Sequence, residues 1–160
     1  HKKKILKTIY QWYCKSVFFN EVFPIVEDLF NYDDDSLSNW NRNAILNILY
    51  HLKIDAFTST ASNLPNQLPY GNATERLIEI CKRFGANVYL SGQGGFNYQD
   101  LSAFKENNIF VEQSTFVPFK YNQGIQEFIP GLSIIDAMFR IGFKGVNNEL
   151  TKQLDLVFSE

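Results

Sequence analysis

The sequence lacks long apolar runs and any marked excess of charge, and these two shortages already exclude classes of protein. No apolar stretch approaches the roughly 20 residues that a membrane-spanning helix needs, and no secretory leader is visible, so we expect no membrane span. The chain has 15 Lys and Arg against 17 Asp and Glu, a formal net charge of −2. Affinity for nucleic acid depends largely on basic residues that neutralise phosphates, so we expect no nucleic-acid partner.

Cysteine and histidine are also scarce, with two of each in 160 residues. Cys14 and Cys81 share no metal-ligand spacing with each other or with His1 and His51, so neither a metal site nor a cofactor is predicted. Both cysteines have apolar neighbours in helical patterns and are predicted to be buried free thiols in a reducing, cytoplasmic compartment. With His1 terminal and His51 in an apolar helix end, a catalytic triad is not predicted.

Aromatic residues, by contrast, are abundant, with 15 Phe, 8 Tyr and 2 Trp. Rings of this number favour an aromatic core, and the length fits a single domain over residues 1–160. Apolar spacing predicts helices over residues 3–13, 20–30 and 36–51, which make residues 1–53 a helical part. Because the chain begins with histidine and not methionine, we expect its N-terminal segment to be missing.

The pattern changes in residues 54–115. Strands are predicted at Ile54–Ser59, Asn87–Leu90 and Ile109–Gln113, with helices over residues 72–84 and 99–107 between them. This order predicts an α/β fold with a short parallel sheet of about three strands in a Rossmann-like arrangement.

Residues 116–160 read as an irregular aromatic segment followed by C-terminal helices. One helix is predicted from Ile134 to Ile141, with Gly142 ending it, and another over residues 146–158. Ser133 and Asp136 resemble a capping box, with Asp in place of Glu.

Polar residues cluster where the predicted strands end. Ligands collect at the carboxyl ends of parallel strands, so we expect a small polar ligand there. The predicted binding residues are Ser59, Ser91, Gly92, Gly94, Gly95 and Tyr98. The glycine loop lacks the lysine of a P-loop and the spacing of a dinucleotide motif. Polar, glycine-rich loops are also common without any ligand.

Carboxylates offer one candidate for catalysis. Glu127 is flanked by residues of the aromatic segment and is the predicted general base, although a solvated loop acid is the plainer interpretation. Glu75 and Asp100 lie at predicted helix starts, where they compensate the helix dipole.

The stretch Tyr89 to Gly95, with Tyr98, resembles the central motif of the WbqC-like protein family. Ala73 to Ala86 looks like the helix before that motif, and Phe128 to Asp136 resembles the closing motif. The family usually has proline where this chain has Gln93, and it usually opens with a strand and a His-Gln-Pro motif that this chain lacks.

The resemblance implies a link to bacterial surface-polysaccharide biosynthesis, such as that of O-antigen, and to amino-sugar pathways. One hypothesis is a transferase that acts on a nucleotide-linked amino sugar. The alternatives are a non-catalytic binding or assembly module, which could form oligomers through Phe116, Phe119 and Tyr121, and a truncated remnant without function.

Overall fold

The computed structural model describes residues 1–64, 71–92, 94–114 and 116–157, and the side chains up to residue 153. The described α-helices and β-strands are, in chain order, α1 Lys2–Tyr13, α2 Phe19–Asn31, α3 Leu37–His51, α4 Ala73–Arg83, β1 Val88–Ser91, α5 Leu101–Glu106, β2 Phe110–Gln113 and α6 Ile134–Val157. The chain divides into two compact units. Unit 1 comprises residues 1–56 and 118–160, and unit 2 comprises residues 57–117. The prediction of a single domain stays a prediction.

Unit 1 is a helical unit built on α1, α2, α3 and α6. Val22 and Val26 on α2 and Met138 and Phe139 on α6 are fully buried in one apolar core. Aromatic rings line this core, as the composition predicted. Tyr13 stacks on Phe139 with ring centroids 4.4 Å apart. Burial of these side chains is the main source of the stability of the unit.

Helix α6 breaks at Gly142, as the sequence predicted. Gly142 has φ 70° and ψ 172° inside an otherwise helical stretch. A Cβ at this position would lie 2.7 Å from the ring of Phe18. Glycine is therefore required at position 142 for two reasons. The backbone is left-handed, and the Phe18 ring occupies the space that a side chain would take.

Unit 2 contains a two-stranded parallel sheet. Val88 pairs with Phe110 and Ser91 with Gln113, and α5 makes the crossover between the strands. Ile78 and Cys81 of α4 and Phe104 of α5 pack with Ile109 in the core of the unit. The two helices are joined where Thr74 Oγ1 accepts a hydrogen bond of 3.1 Å from the Asp100 N–H. The α/β class and the parallel pairing are thus confirmed.

The predicted strand Ile54–Ser59 is wrong, and the described sheet has two strands where about three were expected. Ile54 instead completes the end of α3. Its N–H donates to Leu49 O at 3.0 Å, and Lys53 before it has φ 55°. These are the features of a helix C-terminal turn with a left-handed residue. Ile54 then packs against the core of unit 1.

In the described part of the chain, no helix combines the length and the apolar character that crossing a bilayer requires.

Candidate functional site

The candidate site is the glycine turn, which we define as Gly92, Gly94 and Gly95, at the carboxyl end of β1. Ser91 ends the strand and is 1% exposed, so it is a buried anchor and not a surface hydroxyl. Its Oγ donates to Gln99 Oε1 at 2.9 Å. Because an unpaired buried hydroxyl is costly, this bond fixes how the chain leaves the strand.

Gly95 is the tightly packed member of the glycine turn. A Cβ there would lie 2.0 Å from Ser91 Oγ and 2.9 Å from Gln99 Oε1. The Gly95 N–H donates to Gly92 O at 2.9 Å, and Gly95 O accepts from Gln99 N at 3.0 Å. The turn is therefore closed by its own backbone and by the Ser91–Gln99 pair behind it.

Gly92 and Gly94 are the exposed members of the glycine turn. No atom lies within 4 Å of the position that a Cβ would take at either residue. Their backbone N–H groups have no hydrogen-bond acceptor among the residues that the structure describes. Two exposed donors beside the end of a parallel strand are suited to an anion or a polar ligand.

The other predicted site residues lie in three different surroundings. Tyr98 follows the glycine turn and is exposed. Ser59 is exposed in an irregular stretch of unit 2, so the strand that was expected to position it is absent. Glu127 is exposed and belongs to unit 1, whereas the glycine turn belongs to unit 2. Gln93 lies outside the described residues. The ligand-binding and catalytic roles stay predictions.

A second feature of unit 2 is the open face of its sheet, which we define as Val88, Leu90 and Phe110. Leu90 is 64% exposed and Phe110 is 71% exposed. The opposite face carries Tyr89 and Val111, which pack against the core that α4 and α5 cover. Parallel sheets usually have both faces covered, so the open face is unusual.

The predicted aromatic patch is only partly exposed. Phe119 and Tyr121 are partly buried against the core of unit 1. Phe116 belongs to unit 2 and is exposed. Of the three rings proposed to mediate oligomers, two therefore contribute to a core.

Sequence reasoning missed a polar cluster in unit 1, the acid–tyrosine cluster of Tyr13, Tyr121, Asp136 and Arg140. Asp136 is buried, and its Oδ1 and Oδ2 accept from the hydroxyls of Tyr13 at 2.8 Å and Tyr121 at 2.7 Å. Arg140 Nε lies 3.8 Å from Asp136 Oδ1. Burial and then the hydrogen bond to Asp136 raise the pKa of Tyr13, and burial is the largest cause that raises the pKa of Tyr121.

This geometry corrects the predicted capping box at the start of α6. The Asp136 carboxylate bonds to the two tyrosines, and Ser133 Oγ accepts from the Ile135 N–H instead. A signal was present in the sequence. Asp136 is three residues before Phe139, so it lies on the face of the helix that enters the core.

The two cysteines differ in exposure. Cys81 is buried as predicted, but Cys14 is exposed because it follows the last turn of α1, where the chain leaves the core. Burial raises the pKa of the Cys81 thiol. Within the described ranges, no group of three or more His, Cys, Asp or Glu is arranged to hold a metal ion.

Comparison with known proteins identifies the family. The chain is 32% identical over 108 residues to the Mycobacterium tuberculosis protein Rv1507c, itself described as uncharacterised, and the match covers 67% of this chain and 46% of that protein. The chain thus spans about half the length of this relative. No solved structure matches the chain. The model of the WbqC-like protein family matches residues 1–148, nearly the whole sequence, and the chain therefore belongs to that family.

Proposed function

We propose that the chain binds a nucleotide-linked amino sugar at the glycine turn and acts as a transferase on it. The observation that carries this proposal is the pair of N–H groups of the exposed residues Gly92 and Gly94, which have no acceptor among the described residues and follow the carboxyl end of a parallel strand. Backbone donors in such a turn suit phosphate oxygens. A β–α–β unit with its ligand at this edge is also the smallest element of a Rossmann-like arrangement.

The residues around the glycine turn divide into two roles in this proposal. Gly92 and Gly94 contact the phosphates of the ligand. Ser91 and Gly95 hold the turn in shape from behind, since the Ser91 hydroxyl is buried against Gln99. Tyr98 is exposed and offers a ring and a hydroxyl to the sugar or the base. Ser59 remains a proposed contact on the same unit.

The sugar class and the transfer step come from the family resemblance, which links such proteins to surface-polysaccharide biosynthesis in the bacterial cytoplasm. Glu127 is the proposed general base, because it is a carboxylate of the aromatic segment, directly before the closing motif that begins at Phe128. The base would take the proton of the attacking hydroxyl or amine while the bond to the leaving nucleotide breaks.

Isothermal titration of the full chain with a panel of nucleotide-linked amino sugars tests the binding. Gly94 has φ −78°, which proline also adopts, so Gly94→Pro removes the N–H and asks little of this residue's own backbone. Gly94→Ala is the matched control because it keeps the N–H and its Cβ meets nothing. We expect Gly94→Pro alone to lose binding. Equal binding by both variants, or none by the natural chain at millimolar ligand, would contradict the proposal.

The transfer step needs its own test. Release of nucleotide from the bound sugar should be lost in Glu127→Gln while the titration is unchanged. Glu27→Gln, an exposed carboxylate of the same unit, is the control. If Glu127→Gln releases nucleotide at the natural rate, Glu127 is not the base.

A second candidate function is a non-catalytic assembly module, which the open face of the sheet favours. Val88, Leu90 and Phe110 expose apolar surface on one side of a parallel sheet, and such surfaces commonly mark interaction sites. Light scattering distinguishes the two functions. A module of this kind should oligomerise or retain a partner, and Leu90→Ser should abolish that association without affecting ligand binding at the glycine turn.

A further inference from the structure

We propose that Arg140, held by the acid–tyrosine cluster, is a binding site for the carboxylate group of a ligand. The site lies wholly within unit 1, whereas the glycine turn belongs to unit 2. It does not depend on the proposed transferase function. The juxtaposition that supports it is an arginine whose donors make no hydrogen bond to any described residue, beside a carboxylate whose two oxygens each accept one from a tyrosine.

Asp136 is already satisfied by its two tyrosine neighbours. Each carboxylate oxygen accepts a short hydrogen bond, from Tyr13 at 2.8 Å and from Tyr121 at 2.7 Å. The Arg140 Nε is 3.8 Å from Asp136 Oδ1, which is too long for a hydrogen bond. The carboxylate therefore holds the guanidinium nearby by charge but does not use its N–H groups.

The guanidinium lies close to an aromatic ring and to a glycine. Its Cζ lies 5.6 Å from the centre of the Tyr13 ring, in the position of a cation–π contact. A Cβ at Gly124 would fall 2.9 Å from Nη1, so the bare backbone of that glycine allows the close approach. The loop that carries Gly124 is closed by Gln123, whose side-chain amide makes two hydrogen bonds of 2.8 Å with the Ile129 backbone.

The donors of this guanidinium remain unpaired within the described structure. The Arg140 Nε is buried and has no hydrogen-bond partner, and neither Nη group has an acceptor among the described residues. The side chain is still 28% exposed, and because Nε is buried a ligand reaches the guanidinium through its Nη groups. A planar fork of N–H donors matches the two oxygens of a carboxylate.

The charge of the cluster favours a carboxylate over a phosphate. Arg140 and Asp136 carry opposite charges, so the pair is close to neutral. Arg140 attracts a phosphate dianion about twice as strongly as a carboxylate, but Asp136 repels the dianion about twice as strongly as well, so the second negative charge gains little from the pair. Only one guanidinium faces the ligand in the described cluster, and one guanidinium balances one negative charge.

Nuclear magnetic resonance of the arginine Nε–H groups tests the site in the full chain. The sequence has four arginines, at positions 42, 76, 83 and 140, and Arg140→Lys assigns the fourth signal by removing it. Sodium acetate is the probe, with sodium chloride at equal ionic strength and inorganic phosphate as the comparison arms. We expect the Arg140 signal to shift saturably with acetate, with a dissociation constant on the order of tens of millimolar.

Two variants separate the cluster from a general charge effect. Tyr13→Phe keeps the ring but frees one oxygen of Asp136 for Arg140, so we expect acetate to bind about threefold more weakly, because the ion pair then competes. Arg42→Gln removes an exposed arginine of the same unit and should leave acetate binding unchanged.

Three results would overturn the proposal. The first is a shift of the Arg140 signal that stays linear and equals that of the other arginines. The second is tighter binding of phosphate than of acetate, which would assign the site to a different anion. The third is unchanged acetate affinity in Tyr13→Phe, which would show that the tyrosines do not keep the guanidinium available.

Discussion

Substitution of Gly95 by alanine tests whether the Ser91–Gln99 pair supports the glycine turn. Gly95 does not have a positive φ, so its backbone accepts alanine and the effect of the change is steric. The new Cβ would lie 2.0 Å from Ser91 Oγ and 3.0 Å from Gln99 Nε2. Both atoms are at side-chain ends and can rotate away, so we expect the backbone to stay and the hydrogen bond between the two side chains to break.

The loss of stability in Gly95→Ala follows from the burial of the two hydrogen-bond partners, Ser91 and Gln99. Ser91 is 1% exposed and Gln99 is 8% exposed, so neither gains a full hydrogen bond to water when the pair separates. Leaving such groups unpaired costs about 1–3 kcal/mol, and we expect about 2 kcal/mol for Gly95→Ala. Since 1.4 kcal/mol corresponds to a factor of ten, the open form of unit 2 should become about 30-fold more populated.

The reactivity of Cys81 measures this opening. Cys81 is buried in the core of unit 2 with Ile78, Phe104 and Ile109. In a Cys14→Ser background, the rate of thiol labelling under native conditions reports how often that core opens. The variants are compared at one pH, because the fraction of thiolate must be equal.

Matched variants in the same turn decide the result. Gly94→Ala meets no neighbouring atom and should label at the natural rate. Ser91→Ala removes the same hydrogen bond, so the double variant with Gly95→Ala should cost no more than Gly95→Ala alone. If Gly95→Ala labels Cys81 no faster than Gly94→Ala, or if the two costs add, the Ser91–Gln99 pair does not support the turn.

Three other predictions concern single groups. Gly142→Ala should destabilise unit 1 by about 2–4 kcal/mol, because of the left-handed backbone and the ring beside it. Gly131→Ala, with φ 73° and open space around it, should cost only about 1 kcal/mol. Urea unfolding followed by tryptophan fluorescence measures both costs, and equal costs would exclude the ring contact. Burial and the hydrogen bond to Asp136 raise the pKa of Tyr13 above 10.0, so the stability that Tyr13 contributes is complete below about pH 10 and is lost as the pH rises further. Tyr13→Phe should flatten the decline of the free energy of unfolding at alkaline pH, and an unchanged decline would contradict this. Hydrogen bonds from Ser102 and from the helix backbone lower the pKa of Asp100 below 3.8. The stability that Asp100 contributes as the cap of α5 is therefore complete above that pH and is lost as the pH falls through the lowered value. In a carboxyl titration by nuclear magnetic resonance, a midpoint at or above 3.8 would refute the helix cap.

Apolar spacing predicted the helices well, and the structure adds caps at their N-terminal ends that were not predicted. Ser36 caps α3 by accepting from the Asn39 N–H, and Asn72 with Glu75 forms a complete capping box at α4. Gly85 ends α4 with φ 62°. These features depend on residues three to five apart, so the neighbouring sequence determines them. The parallel pairing of β1 and β2 also followed from the order of elements.

The prediction of a third strand was wrong because the alternation of apolar and polar residues cannot identify the strand with which a segment pairs. Ile54 and Phe57 have the β propensity of a strand, but Ile54 packs against the core of unit 1 and Phe57 is 85% exposed. A strand needs a neighbour to accept its backbone hydrogen bonds. The Ile54 N–H instead donates to Leu49 O in the turn that ends α3. Tertiary packing therefore determined the structure of this segment, although its local residue pattern is typical of a strand.

The acid–tyrosine cluster could not be predicted as a whole, because its members are distant in the sequence. Asp136 lies 123 residues from Tyr13 and 15 from Tyr121, and a Ser–x–x–Asp pattern gives no sign of either tyrosine. Only the helical spacing of Asp136 with Phe139 indicated a buried carboxylate. A buried charge needs partners that compensate its lost hydration, so that spacing already required donors from elsewhere in the chain. The structure supplies them as phenols, and for that reason the guanidinium of Arg140 stays available to a ligand.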